Sequence, residues 1–148
     1  MKDISLIAFD ADDTLWECQT YFASVEKEYC DLLKHYAPVE EVSQALFATE
    51  TANMDLLGYG SKAFILSLLE NATQVSHGKL TSAEVTAIIK MGKSLLQLPG
   101  KPLEGVVTTM EKLRRSGLYR LVVFTKGELL DQESKFNRSG LRTYFDDF

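Results

Sequence analysis

The chain has 148 residues, 45% of them apolar and 25% charged, with a formal net charge of −5. This composition is ordinary for a soluble globular protein of one domain or two small parts. Acidic and basic residues are interspersed without a basic stripe, so we expect no nucleic-acid partner. The apolar runs are too short to span a bilayer, and the N-terminus lacks the pattern of a signal peptide. Cys18 and Cys30 are not spaced like a zinc or redox pair. We therefore expect a reduced, cytoplasmic protein with no membrane partner.

Two strand-like segments lie far apart in the chain. The apolar run at 4–9 has no helical spacing and predicts a buried strand of a parallel sheet. The run at 119–124 is rich in β-branched residues and predicts a second strand, after a helix from near Pro102 to Gly117. A last helix is predicted at 127–139 and ends at Gly140. Helices and strands therefore alternate as in an α/β fold.

The residues between these strands predict helices only. Four helices are expected at about 21–36, 39–53, 61–72 and 82–96. Pro38 fits the first turn of the second helix, and Ser61 can cap the third. Thr81 and Glu84 have the spacing of a capping box before the fourth. We therefore expect a helical insert of roughly 80 residues between the two strands of the sheet.

An acidic turn follows the first strand. Asp10 and Asp12 lie at the carboxyl end of that strand, where open α/β sheets bind ligands. If the backbone stays extended, both carboxylates point to the same side and repel each other unless a cation holds them. Mg²⁺ prefers such oxygen ligands and bridges to substrate phosphate. One carboxylate would then act as a nucleophile and the other as a general acid and base. The alternative is an ordinary turn, in which Asp13 and Thr14 cap the next helix.

Polar residues also follow the second strand. Thr125, Lys126 and Gly127 lie between that strand and the last helix. A hydroxyl and backbone N–H groups at a helix N-terminus suit a phosphate. In the alternative interpretation, Thr125 and Gly127 form a simple loop and Lys126 is solvated.

This combination resembles the haloacid dehalogenase (HAD) superfamily of hydrolases. The stretch from Asp10 to Thr14 is similar to the first motif of that family, and Thr125 is similar to the second. The helical insert resembles a cap of the first type (C1), and residues 137–146 resemble the connection to the third strand. The resemblance implies an α/β fold with a Rossmann-like core at 1–16 and 100–148, incomplete at its C-terminus. It also implies an inserted all-helical cap at 17–99.

The resemblance implies a role for each matching residue. Asp10 would be the nucleophile and a Mg²⁺ ligand. Asp12 would be the general acid and base, with its main-chain carbonyl on the metal. Thr125 would hydrogen-bond the phosphoryl group, and Lys126 and Gly127 would contact it. Phosphatases of the family have the second aspartate and its dehalogenases lack it. The resemblance therefore implies a Mg²⁺-dependent phosphatase that hydrolyses a small phosphorylated metabolite through an aspartyl-phosphate.

Three further residues are candidates for substrate binding. Tyr59 and Lys62 lie in the loop and helix start 58–62 of the predicted cap, and a positive helix end there would attract an anionic substrate. An ordinary loop with an exposed lysine is the alternative. Trp16 follows the acidic turn and either lines the site or packs in the core.

The chain departs from the family pattern near its C-terminus. The lysine of the third motif and the acidic metal ligands of the fourth would lie beyond residue 148. Neither Lys126 nor Lys135 is assigned to the place of that lysine, and Asp146 and Asp147 are predicted to lie in a loop before the next strand. We expect a piece of a longer protein, with little or no phosphatase activity alone. The alternative is a complete chain that binds phosphate, metal or a partner without turnover. The unfinished sheet edge predicts marginal stability or self-association.

Overall fold

The structure, a computed structural model, describes residues 3–148. In chain order the elements are β1 (Leu6–Phe9), α1 (Gln19–Leu33), α2 (Val39–Leu57), α3 (Ser61–Val75), α4 (Ser82–Leu95), α5 (Val106–Ser116), β2 (Arg120–Val123), α6 (Leu129–Ser139) and a 3-10 helix (Leu141–Tyr144). They form two compact units, one of residues 3–19 with Leu98–Phe148 and the other of Thr20–Gln97. Among the described residues, no helix combines the length and apolar character needed to cross a lipid bilayer.

The first unit contains the sheet. β1 and β2 are parallel, with Leu6 opposite Arg120 and Phe9 opposite Val123. A third segment begins beside β2, because Asp147 forms a parallel bridge with Val122. The Asp146 main-chain N–H also donates to the Leu121 carbonyl at 2.8 Å. The two aspartates therefore lie at the start of strand pairing, not in the loop that was predicted for them.

One face of this sheet packs into a hydrophobic core. Successive side chains of a strand point to opposite faces, so Ile7 and Phe9 share a face with Leu121 and Val123. These four side chains pack with the fully buried Trp16 and with other apolar residues of the unit: Ala11, Leu15, Met110, Phe136, Leu141 and Phe145. The opposite face is open, since the Leu6 side chain is 50% exposed. The core therefore covers one face of the sheet, and the turn after β1 leaves from the end of its first strand.

The helix ends follow local signals in the sequence. Thr81 accepts a hydrogen bond from the Glu84 main chain while the Glu84 carboxylate accepts one from the Thr81 main chain, which is the predicted capping box. Gly117 and Gly140 end α5 and α6 at φ values of 64° and 73°, a region that favours glycine. α5 begins at Val106, later than the predicted start near Pro102, because Pro102 forms an antiparallel bridge with Trp16.

The second unit consists of four helices joined by buried polar contacts. The Tyr29 hydroxyl on α1 donates to the Leu68 carbonyl on α3 at 2.9 Å. The Asn71 side-chain amide donates to the same hydroxyl at 2.7 Å. α3 and α4 approach closely at Gly92, where a Cβ atom would overlap the Ile65 side chain. α2 and α3 extend to Leu57 and Val75, a few residues beyond their predicted ends.

Candidate active site

A tight turn exposes Asp10 at the end of β1. The main-chain N–H groups of Thr14 and Leu15 donate to the Ala11 carbonyl at 3.1 and 2.8 Å. The Asp13 N–H donates to the Trp16 carbonyl at 2.7 Å, with Asp13 in a left-handed conformation at φ 58°. The Thr14 hydroxyl donates to Oδ2 of the exposed Asp10 carboxylate at 3.0 Å. This carboxylate is therefore accessible and oriented by its own turn.

Asp13 has a structural role. Its Oδ1 accepts hydrogen bonds from the main-chain N–H groups of Cys18 at 2.8 Å and Gln19 at 3.0 Å. These groups belong to the start of α1, where N–H donors lack intrahelical partners. The capping alternative therefore holds for Asp13, whereas Thr14 bonds to Asp10 instead of the helix.

Asp12 is surrounded by hydrogen-bond donors. Its Oδ1 accepts from the Trp16 indole Nε1–H at 2.8 Å and from the Lys135 Nζ at 2.7 Å. Its Oδ2 accepts from the Gln132 Nε2 at 2.6 Å. Burial raises the pKa of Asp12, but the hydrogen bond and charge of Lys135, with the bonds from Gln132 and Trp16, outweigh burial and hold that pKa below its usual value. Asp12 is therefore a carboxylate at neutral pH.

Thr125 lies beside the Asp10 turn because the two strand ends are neighbours. The Phe124 N–H donates to the Phe9 carbonyl at 2.8 Å, directly before Thr125 and Asp10. The Thr125 Oγ1 accepts from the Gly127 N–H and from the Gln132 Nε2, both at 3.1 Å. A hydroxyl has two acceptor sites and one donor. With both acceptor sites used, the Thr125 hydroxyl can interact with a ligand only as a donor.

Gly127 makes room for this arrangement. A Cβ atom at position 127 would overlap the side-chain amide of Gln132. Lys126, between Thr125 and Gly127, is exposed. The loop therefore needs a glycine where the Gln132 amide passes, and it leaves the lysine at the surface.

Three further residues were predicted to contact substrate. Tyr59 is 53% exposed in the loop after α2, and Lys62 is exposed in the first turn of α3. Both belong to the second unit, and their roles stay predictions. Trp16 was predicted either to line the site or to pack in the core. It is 0% exposed, so it does not line the site. It packs in the core and donates to Asp12, which agrees with the packing alternative.

Sequence reasoning missed Gln132 and Lys135. Both are buried on α6, at 1% and 2% exposure, and both contact Asp12. Their spacing of three residues places them on the same helix face. That spacing, on a helix that begins next to Thr125, was the available signal. This signal is hard to read from the sequence, because the apolar residues at the start of the helix are expected to be the buried ones. In the structure Leu129 and Leu130 are exposed instead.

The donor set fits two ligands of a magnesium ion. The exposed Asp10 carboxylate and the main-chain carbonyl of Asp12 are hard oxygen donors of the kind that Mg²⁺ prefers. The Asp12 carboxylate is already bonded to Trp16, Gln132 and Lys135. Within residues 3–148, no three His, Cys, Asp or Glu side chains form a cluster that could hold a metal. Water and substrate commonly supply further ligands of this ion.

Comparison with solved structures identifies the fold. A haloacid dehalogenase-like family hydrolase from Xanthomonas campestris is 32% identical, with a TM-score of 0.89. The match covers 97% of this chain and 60% of that one, so this chain spans less than two thirds of its relative. The match confirms the expected Rossmann-like α/β fold.

Two more distant structures share this fold. A predicted phosphoglycolate phosphatase from Haemophilus somnus is 19% identical, with a TM-score of 0.56 and coverage of 99% of this chain and 62% of that one. An L-2-haloacid dehalogenase from Xanthobacter autotrophicus is 16% identical, with a TM-score of 0.55 and coverage of 98% and 56%. Similarity at this level shows the fold alone. No curated protein sequence matches the chain.

The family is shown by the sequence itself. A family model described as haloacid dehalogenase-like hydrolase matches residues 4–148, which include the Asp10 turn and Thr125. This match spans nearly the whole chain and agrees with the resemblance inferred from the two motifs. The chain belongs to the haloacid dehalogenase-like hydrolase family.

Proposed function

We propose that the protein is a Mg²⁺-dependent phosphatase that hydrolyses a small phosphorylated metabolite through an aspartyl-phosphate on Asp10. The observation that carries the proposal is the link between Asp12 and Thr125, whose side chains share the amide of Gln132. An exposed carboxylate, a hydroxyl directed as a donor and a second carboxylate beside a lysine thus meet at two adjacent strand ends. These are the groups that phosphoryl transfer to and from a carboxylate requires.

The three residues have distinct tasks in the proposed reaction. An Asp10 oxygen attacks phosphorus, the bond from phosphorus to the ester oxygen breaks, and that oxygen takes a proton from Asp12. Water then attacks the phosphorus of the aspartyl-phosphate and gives a proton to Asp12. The bond from phosphorus to the Asp10 oxygen breaks, so phosphate leaves and the Asp10 carboxylate is restored. The Thr125 hydroxyl donates a hydrogen bond to a phosphoryl oxygen in both steps, where negative charge accumulates.

The lowered pKa of Asp12 suits the second step directly. A carboxylate at neutral pH is ready to accept the proton of the attacking water. The first step needs the protonated form. A phosphoryl dianion bound nearby raises the pKa of a carboxylate, because like charges disfavour ionisation. Proton uptake by Asp12 on substrate binding is therefore part of the proposed mechanism.

A magnesium ion fits the proposal through two oxygen donors. The Asp10 carboxylate and the Asp12 main-chain carbonyl would hold it. When bound, the ion neutralises charge between the nucleophile and the phosphoryl oxygens. The chain's own contribution is to keep Asp10 exposed and oriented through the Thr14 hydroxyl.

The second aspartate favours a phosphatase over a dehalogenase. By the family resemblance, dehalogenases lack the residue that corresponds to Asp12. Here Asp12 is present and bonded to Lys135 and Gln132. An alkoxide leaving group needs a proton and a halide does not. A carboxyl group held at this position therefore favours ester hydrolysis over dehalogenation.

Beryllium trifluoride, a mimic of the aspartyl-phosphate, tests the nucleophile without requiring turnover. Fluorine NMR should detect its binding to the wild-type chain with Mg²⁺, and not without it. Asp10→Asn should abolish binding, whereas Asp55→Asn, an equivalent change at an exposed site on α2, should leave it unchanged. Binding that persists in Asp10→Asn, or no Mg²⁺-dependent binding in the wild type, would overturn the proposal.

Turnover is tested with two substrates. Release of p-nitrophenol from p-nitrophenyl phosphate should require Mg²⁺ and Asp10, and chloride should not be released from L-2-chloropropionate. Chloride release that requires Asp10 would assign the site to dehalogenation instead. That the 148 residues turn substrate over slowly or not at all when alone stays a prediction, and any rate measured on them is to be compared with Asp10→Asn.

A further inference from the structure

We propose that Gln132 and Lys135 of α6 are positioning residues that hold the Asp12 carboxylate and the Thr125 hydroxyl in a fixed relation to each other. The inference rests on the proposed function for its consequence in catalysis. Its structural part, that these two side chains determine where Asp12 lies, can be tested separately.

The Gln132 amide links the two strand ends. One side-chain N–H₂ group donates to Asp12 Oδ2 at 2.6 Å and to Thr125 Oγ1 at 3.1 Å. An amide nitrogen has two protons, so both are used. The side chain is 1% exposed, and Gly127 provides the space in which it lies. One amide therefore fixes the distance between Asp12 and Thr125 and occupies an acceptor site of the Thr125 hydroxyl, whose proton stays available for a ligand.

The orientation of this amide is determined by Asp12. The Gln132 Oε1 is buried and has no hydrogen-bond partner among the described residues. Turning the amide by half a rotation would place that oxygen against the Asp12 carboxylate, where two acceptors repel. A buried acceptor without a partner costs stability. The Gln132 amide therefore keeps its contact with Asp12 although this orientation leaves its Oε1 atom without a hydrogen bond.

Lys135 neutralises Asp12 from the same helix face. Its side chain is 3% exposed, and its Nζ lies 2.7 Å from Asp12 Oδ1 and 3.8 Å from Asp131 Oδ2. A buried ammonium is costly unless carboxylates surround it. Lys135 therefore depends on Asp12 and Asp131 for its own burial, and Asp12 is drawn toward α6.

The burial pattern of α6 argues against simple packing. Its first turns bury Asp131, Gln132 and Lys135 and expose Leu129 and Leu130 by 66% and 62%. A helix packed for stability alone buries its apolar residues and exposes its polar ones. Replacing a buried ion pair by apolar residues is often neutral or stabilising. The burial of Gln132 and Lys135 on α6 is therefore best explained by their contacts with Asp12 and Thr125.

The test uses Trp16, the one tryptophan in the chain. Its indole N–H donates to Asp12 Oδ1, so its single indole cross-peak in a proton–nitrogen NMR spectrum reports the position of Asp12. Asp12→Asn provides the reference shift.

Gln132→Met and Lys135→Met keep side-chain length and remove the donors. Gln97→Met and Lys112→Met are the matched controls at exposed positions.

We expect Gln132→Met and Lys135→Met to shift the indole peak, and both controls to overlay on the wild type. A peak that moves in Asp12→Asn but stays in place in both α6 variants would overturn the inference. Thr125→Val is a milder change of equal shape, in case an α6 variant does not fold. It should shift the peak through Gln132, and a wild-type peak position in Thr125→Val would count against the link.

Catalysis gives a separate result. The α6 variants should lower kcat about tenfold, the effect of roughly one lost net hydrogen bond at the transition state. The loss should be larger for an alkyl phosphate than for p-nitrophenyl phosphate, since only the alkoxide needs the Asp12 proton. Equal losses for both esters would contradict positioning of Asp12 as the acid. Absence of any Asp10-dependent phosphate chemistry would refute the proposed function, while the indole peak would still decide whether α6 holds Asp12.

Discussion

The three aspartates of the turn after β1 have separate partners. Asp10 is exposed and accepts from the Thr14 hydroxyl, which leaves it accessible to a ligand. Asp12 is drawn toward α6 by Lys135. Asp13 binds the free N–H groups at the start of α1. A cluster that would repel itself as three free carboxylates is stabilised because each charge meets a different set of donors.

Gly127→Ala should displace the Gln132 amide, because the new methyl group overlaps that side chain. We expect a loss of unfolding free energy of roughly 1–3 kcal/mol, typical of overpacking, with weaker Mg²⁺-dependent beryllium trifluoride binding. Chemical denaturation and fluorine NMR measure the two effects.

The Gln132→Ala background is the control for this prediction. With the amide removed, the methyl group at 127 has space and Gly127→Ala should have little further effect. Equal losses in both backgrounds would mean that the glycine is required for another reason.

Residue-scale prediction from the sequence succeeded where the contacts are local. Asp10 at a strand end and Asp13 near a helix start could be inferred from neighbours within the same turn. The partners of Asp12 could not, because Gln132 and Lys135 lie 120 and 123 positions later in the chain. Their contact depends on the parallel pairing of β1 with β2 and on the path of α6, neither of which a local pattern contains.

The elements were predictable where capping and turn chemistry define them. The capping box at Thr81 and the glycines after α5 and α6 were read correctly from residue type. The start of α5 was not, because Pro102 pairs with Trp16, a contact distant in sequence. The 3-10 helix Leu141–Tyr144 carries no distinct local signal and was not predicted. Tertiary contacts therefore override local preference mainly at element ends.

The packing of α3 against α4 gives a prediction at the scale of elements. A Cβ atom at position 92 would overlap the Ile65 side chain, so Gly92→Ala should force the two helices apart. Alanine favours a helix over glycine by up to about 1 kcal/mol, and overpacking costs about 1–3 kcal/mol. We expect a net loss of stability, measured as the free energy of unfolding in urea.

A compensating change tests the cause. Ile65→Ala removes the overlapping atoms, so Gly92→Ala in that background should become neutral or stabilising through helix propensity. Lys90→Ala, on the exposed surface of α4, is the control and should have little effect. If Gly92→Ala destabilises both backgrounds equally, the contact with Ile65 is not the reason for the glycine.

At the scale of the whole molecule, the sheet carries exposed apolar side chains. Ile4 and Leu6 are 70% and 50% exposed, and Phe124 beyond β2 is 69% exposed. Among the described residues β1 pairs on one side only, which leaves its outer edge open. Apolar side chains next to unpaired main-chain groups favour association with another chain. The self-association expected from the sequence therefore has a defined surface, although it stays a prediction.

We predict that the isolated chain forms concentration-dependent oligomers through this surface. Leu6→Glu places a charge at its centre, opposite Arg120 on β2, so it should preserve the strand while weakening association about tenfold or more. Phe47→Glu, at a 72% exposed site on α2, is the matched control and should leave association unchanged. Sedimentation equilibrium at several concentrations measures the effect. A monomer at all concentrations, with cooperative unfolding that does not depend on concentration, would show that the open sheet face is tolerated by the chain alone.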